Sequence, residues 1–161
     1  MRKYSYILFV ACLLISVSAS ACEDGSGHYT LPVEEATIRT QGGKDHLFSV
    51  EIAATPEEQM QGLMNREKMP EDHGMLFLFP SERNISFWMK DTIMPLDILY
   101  IKADGVINHI HKNAVPLDET PLPSNGTILN VLEINGGMAD KLGIQAGDTV
   151  YHGSFGNSLA P

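Results

Sequence analysis

Cysteine is nearly absent from this 161-residue chain, which has only Cys12 and Cys22. Two cysteines cannot build a disulfide-dense scaffold or a four-cysteine zinc site. Basic residues are also scarce, 11 Lys+Arg against 20 Asp+Glu, for a net charge of −9. Without a basic face to neutralise phosphates, electrostatically driven nucleic-acid binding is excluded. No apolar run reaches the roughly 20 residues that span a bilayer. The sequence also has no serine nucleophile elbow, no His-Glu-x-x-His helix and no phosphate-cradling glycine loop. No repeat or linker divides it. What remains, 43% hydrophobic and 19% charged residues, is the composition of one domain with a buried core.

The first residues read as a secretory signal. Arg2 and Lys3 precede an apolar stretch from Ile7 to Ser18, and the small residues Ala19-Ser20-Ala21 precede Cys22. Ala-x-Ala suits ordinary cleavage and release. The same residues followed by Cys22 resemble a lipobox, in which Cys22 becomes the acylated first residue of an envelope lipoprotein facing the periplasm. The alternative is a soluble periplasmic or secreted protein. Loss of residues 1–21 removes two basic residues, no acid and Cys12, so the mature charge falls to −11 and one cysteine remains. With Cys22 lipidated there is no free thiol, which excludes cysteine catalysis. The boundaries follow: signal peptide 1–21, tether 22–35, domain 36–152 and a frayed tail 153–161.

Within the domain the patterning is mostly that of strands. Residues 36–40 and 46–53 are strand-like and joined by Gln41-Gly-Gly-Lys-Asp45, with Phe48, Val50 and Ile52 on one face. Thr55, Pro56 and Glu58 make a helix start with a capping box, and Gly62 stops the helix near Gln61. Gly74 to Phe79 is a continuous apolar run that ends at Pro80, the mark of a buried strand. Strands are expected over 85–89, 96–101, 106–111, 128–134 and 149–152, with a second short helix over 138–142. About eight strands and two short helices predict a single mostly β domain, a sandwich or jelly-roll-like or barrel-like fold.

Gln61-Gly-Leu-Met-Asn-Arg66, Gly74-Met-Leu-Phe77, Ser86-Phe-Trp-Met-Lys90, Thr92, Pro95-Leu-Asp97, Val131-Leu-Glu133, Gly137 and Gly147-Asp148 resemble the DUF192 family across nearly the whole mature domain. The resemblance implies a small β domain, often exported, and no established activity. One departure is visible: the family's Lys-Asn-Thr is Lys90-Asp91-Thr92 here. A hydrogen bond donated by that asparagine could not be made by a carboxylate.

Two acids interrupt faces that should be buried. Asp97 shares a strand face with Leu99 and Ile101, and Glu133 shares one with Leu129 and Val131. A buried carboxylate is costly unless paired or hydrogen-bonded. One reading gathers Arg66, Trp88, Lys90, Asp97 and Glu133 around a site for a small polar ligand such as a sugar. In another, Arg66 pairs with the two acids and Asp97 and Glu133 cap loop amides, as structure alone. A third makes Asp97 and Glu133 the acid and base of a small glycan hydrolase.

His109 and His111 share a strand face, but two ligands are not a metal site, and no metal or other cofactor is expected. Seven methionines survive processing: Met60, Met64, Met69, Met75, Met89, Met94 and Met138. They allow a copper-handling alternative, although their apolar neighbours suit gap-filling core methionine better. The expectation is therefore a non-enzymatic envelope domain that binds a small ligand or serves an envelope partner, tied to the membrane by its N-terminus.

Overall fold

The computed structural model describes residues 30–157 and 159. The signal peptide, Cys22 and most of the tether lie outside the described residues. The chain forms β1 (Val33–Arg39), β2 (Asp45–Ala53), α1 (Pro56–Gln61), β3 (His73–Arg83), β4 (Ser86–Phe87) and β5 (Leu96–Ile101). These are followed by β6 (Ile107–Ala114), β7 (Leu122–Pro123), β8 (Ile128–Asn135), α2 (Met138–Leu142), β9 (Thr149–Tyr151) and a 3-10 turn, Gly153–Phe155.

Seven strands make one sheet in the order β6-β5-β8-β3-β2-β1-β9, with β4 and β7 as a separate two-stranded ribbon. Every pairing in the large sheet is antiparallel except β2 with β3, which are joined across α1 and its loop. The sheet curls until its two ends meet. The Ile107 N–H donates to the Asp148 carbonyl and the Val150 N–H to the Gly105 carbonyl, each at 2.8 Å. Mutual pairing of the end strands at one corner protects edges that would otherwise invite aggregation. The expected single β domain is thus a barrel-like curl.

Alternation divides the apolar residues between two cores, one on each face of the sheet. Inside the curl lie Ile38, Phe48, Val50, Leu76, Leu99, Ile101, Leu132, Ile134 and Val150. The outer face of β3, β8 and β5 carries Met75, Phe77, Ile98, Tyr100 and Val131, and Leu63, Met89 and Met94 from the loops pack on it. β5 lies between the two cores, and all six of its residues are buried.

Four local expectations are corrected. β3 continues through Pro80 to Arg83 because its pairing with β8 is irregular between Leu78 and Arg83, and a bulge tolerates a missing N–H. The strand expected at 85–89 stops at Phe87, since its partner β7 is only two residues long. β1 begins at Val33, inside the expected tether. Residues 153–155 of the expected frayed tail form a 3-10 turn, and the Asn157 side-chain amide donates to the Val150 carbonyl at 3.0 Å.

Candidate functional site

The five suspected site residues do not converge. β5 and β8 pair so that Ile98 stands opposite Glu133 and Asp97 opposite Ile134. Asp97 therefore points into the inner core and Glu133 onto the outer face. The Asp97 carboxylate accepts three backbone N–H groups, from Asn113 at 2.8 Å, Gly137 at 3.0 Å and Ala139 at 2.7 Å. It caps α2 from another strand, because the helix begins at Gly137, whose backbone is left-handed and has no side chain to do so. The acid–base pair expected of Asp97 and Glu133 is not formed, because the sheet stands between them.

Arg66 is also placed elsewhere. Its guanidinium forks onto both carboxylate oxygens of Glu51 rather than pairing with Asp97 or Glu133. Strand register puts Glu51, Met75 and Glu133 in one row across β2, β3 and β8. With strands about 4.8 Å apart, Met75 separates the ion pair from Glu133.

Trp88, Lys90 and Glu133 do share a place. They line a cleft of about 290 Å³ on the outer face, with Gln59, Met60, Leu63 and Met64 on one side and Phe77, Phe79 and Phe87 on the other. Gly62 forms part of the wall with φ +46°, a backbone that disfavours any side chain, and it lies against the Phe77 ring. Trp88 is half exposed at the mouth, with the Lys90 ammonium 5.8 Å from its ring centroid. Deeper in, Phe77 and Phe87 meet edge to face at 5.0 Å. Glu133 forms the floor at 4% exposure. Among the described residues nothing donates a hydrogen bond or an ion pair to its carboxyl, and burial alone pushes its pKa up to about 8. A neutral acid in an aromatic cleft is a chemically unusual group.

Sequence reasoning missed the aromatic wall, having read Phe77 and Phe79 only as a buried strand and Phe87 only as part of the strand expected over 85–89. Five of the quoted motif words contribute to this one cleft, through Gln61 to Met64, Phe77, Ser86 to Trp88 with Lys90, Thr92 and Glu133. Others are structural: Asp97 caps α2, and buried Asp148 accepts from the Gln41 N–H at 2.8 Å and the Gln145 N–H at 2.7 Å.

Asp91 occupies a left-handed turn at φ +52°, and its carbonyl accepts from the Asn65 N–H. Asparagine and aspartate both tolerate that conformation. The backbone there explains the departure from the family's asparagine without any side-chain donor. Asp91→Asn should leave stability within about 0.5 kcal/mol, whereas Asp91→Val should lose about 1–2 kcal/mol, read from urea unfolding.

His109 and His111 share the outer face, as expected, and His109 stacks on Tyr100 at 6.0 Å. Among the described residues no group of three or more His, Cys, Asp or Glu side chains could hold a metal. Met75, Met89, Met94 and Met138 are buried core residues, while Met60 and Met64 line the cleft.

Two solved structures resemble the whole arrangement. A Sinorhizobium meliloti 1021 protein, named a "putative transcription regulator", aligns with a TM-score of 0.73 at 42% identity, covering 74% of this chain and 93% of its own. A Novosphingobium aromaticivorans DSM 12444 protein of unknown function gives 0.73 at 40%, covering 89% and 100%. No curated protein matches the chain. The DUF192 family profile, described as an uncharacterized ACR, matches residues 37–152. That span runs from within β1 to just past β9 and takes in nearly all of both cores and every residue of the cleft, so the chain belongs to the DUF192 family.

Proposed function

We propose that this protein is a non-enzymatic ligand-binding domain of the bacterial cell envelope, anchored through a lipidated Cys22. The observation that carries the binding reading is Glu133, a carboxyl only 4% exposed at the floor of a cleft walled by aromatic rings, with no hydrogen-bond donor or cation on it among the described residues. Burying a polar group without a partner costs stability. A ligand that supplies the missing hydrogen bond recovers that cost on binding. The cleft is apolar with few convergent polar groups, the usual character of a small-molecule site. Its ligand has a largely apolar body and one polar head. The exposed Trp88 ring beside Lys90 favours a second ligand class, a sugar stacked at the mouth. The relative's transcription-regulator name is not carried over, because a net charge of −9 opposes phosphate contact.

A small-molecule thermal-shift screen on the processed protein tests the reading, since a ligand that binds only the native state raises its melting temperature. Hits from the cleft should lose about tenfold or more in affinity in Trp88→Ala, a change at the exposed mouth that spares the core. Hits indifferent to that change would place the site elsewhere.

The anchor has its own test. One acyl chain binds a membrane marginally, whereas several hold it stably. Cys22→Ser should move the protein from the membrane pellet to the soluble fraction or block its processing. An unmodified N-terminal Cys22 peptide from the soluble fraction, seen by mass spectrometry, would end the lipoprotein reading and leave the cleft untouched.

A further inference from the structure

Resting on the cleft reading, we propose that the ligand is a cation: a small organic ammonium ion whose charge sits against Glu133 and whose carbon skeleton packs on Phe77, Phe87 and Trp88. Among the described residues, the cations near the cleft are committed elsewhere. Arg66 is forked onto Glu51, and Lys90 lies 3.7 Å from Asp91 and over Trp88. Among the described residues the Glu133 carboxyl thus has no cation of its own to pair with when it ionises.

The rings point the same way. Aromatic faces attract cations, by about 0.5–1 kcal/mol when exposed and about 2 kcal/mol when water is excluded. Two of the four cleft rings already serve in this manner: the Arg83 guanidinium lies 5.2 Å from the Phe79 centroid, and Lys90 lies over Trp88. The inner pair, Phe77 and Phe87, stands beside Glu133 in the same wall.

A polyhydroxylated ligand is served less well. The Gln59 side-chain amide donates to the Leu78 carbonyl at 2.7 Å, and the Thr92 hydroxyl donates to the Lys90 carbonyl at 3.2 Å. Each sugar hydroxyl left unpaired in the cleft would cost about 1–3 kcal/mol. An ammonium ion requires one anion and apolar walls.

Binding carries a proton signature. The carboxyl is neutral near pH 7, and an arriving cation favours its ionised form. The Glu133 proton therefore passes to buffer as the ion pair forms. The other titratable groups on this face are Tyr100 of β5, His109 and His111 of β6, the Glu51–Arg66 pair, and Lys90 at the mouth. Burial and Glu133 push Tyr100 up, and burial with His111 pushes His109 down, so both stay neutral above pH 7. Among the described residues, Lys90 at the mouth and Arg83 over the Phe79 ring oppose an entering cation.

Titration calorimetry with choline and its neutral isostere 3,3-dimethylbutan-1-ol, beside methyl glucoside, provides the test. Choline should bind at least about tenfold more tightly than the isostere and release about one proton per ligand near pH 7, measured in two buffers of different ionisation enthalpy. Glu133→Gln, nearly isosteric, should abolish both the preference and the proton release. Lys90→Ala, at a half-exposed position that leaves the core intact, should strengthen choline binding several-fold. Equal binding of the isostere, weaker choline binding in Lys90→Ala, or no choline heat up to about 10 mM would overturn the proposal. Binding of methyl glucoside or the isostere instead, lost in Trp88→Ala, overturns the ammonium ligand and leaves the cleft reading standing. If none of the probes and no member of the wider screen binds, both fall.

Discussion

Replacing Asp97 with alanine is expected to destabilise the fold by about 3–5 kcal/mol, the largest single-residue effect outside the apolar core. The carboxylate has no exposed surface and accepts three N–H groups, one from β6 and two from the start of α2. Each buried donor left without an acceptor costs about 1–3 kcal/mol, discounted where water enters. A domain of this size is stable by only about 5–15 kcal/mol, so the variant should be close to its threshold. Asp97→Asn should be milder. Its oxygen still accepts from Asn113 and Gly137, while its amide faces the Ala139 N–H as donor against donor. Urea unfolding followed by circular dichroism reads both. A loss below about 1 kcal/mol for alanine would show that the three bonds are replaceable by water. Ligand binding by Asp97→Asn should match wild type, because Asp97 lies across the sheet from the cleft.

The second large effect is on pH dependence and centres on Glu133. Burial raises its pKa from 4.5 to about 8. A carboxyl whose folded pKa exceeds its unfolded value holds its proton more tightly in the native state. Its contribution to stability is complete below about pH 4.5 and is lost as pH rises towards 8. The slope approaches about 1.4 kcal/mol per pH unit, so several kcal/mol disappear across that window. Glu133→Gln should abolish this decline and leave the variant more stable than wild type by about 2–4 kcal/mol near pH 8. Other groups act in the opposite sense. Asp72 and Asp118 sit below their usual range through hydrogen bonds and lose their stabilisation as pH falls through it. His109 and His152, lowered by burial, favour the neutral ring and add stability as pH rises towards 6.5. The difference between wild type and Glu133→Gln, measured from pH 5 to 9, isolates the one carboxyl. A difference independent of pH would mean that Glu133 is ionised in the folded protein. Such a gain on neutralisation is what a residue kept for binding rather than for stability should show.

Most of the local architecture follows from nearest neighbours in the chain. Thr55 accepts from the Glu58 N–H and Glu58 reaches back to the Thr55 N–H, so the predicted capping box is present atom for atom. Alternation in β2 placed Phe48, Val50 and Ile52 on one buried face, and the same rule correctly put Asp97 with Leu99 and Glu133 with Val131. Chain-local rules of propensity, period and capping suffice for such features because their interactions span at most a few residues. The family itself was legible in the motif words.

Which face belongs to which core was not legible. Alternation assigns residues to sides of a strand, but only the pairing of β5 with β8 decides that the sides of Asp97 and Glu133 are opposite. Every partner of Asp97 lies 16 or more residues away, and a cap supplied across 40 residues has no spacing to read. The ribbon strand β7, only Leu122 and Pro123, carries too little pattern to be seen, yet it sets where β4 ends and Trp88 leaves the ribbon. Arg66 found Glu51 at the β2 end of the row rather than Glu133 at its β8 end, a choice that no chain-local rule decides. The sequence alone determined that two acids are buried in a small β domain. Only long-range strand order, set by how the whole sheet curls, decided that one of them is a cap and the other the floor of a cleft.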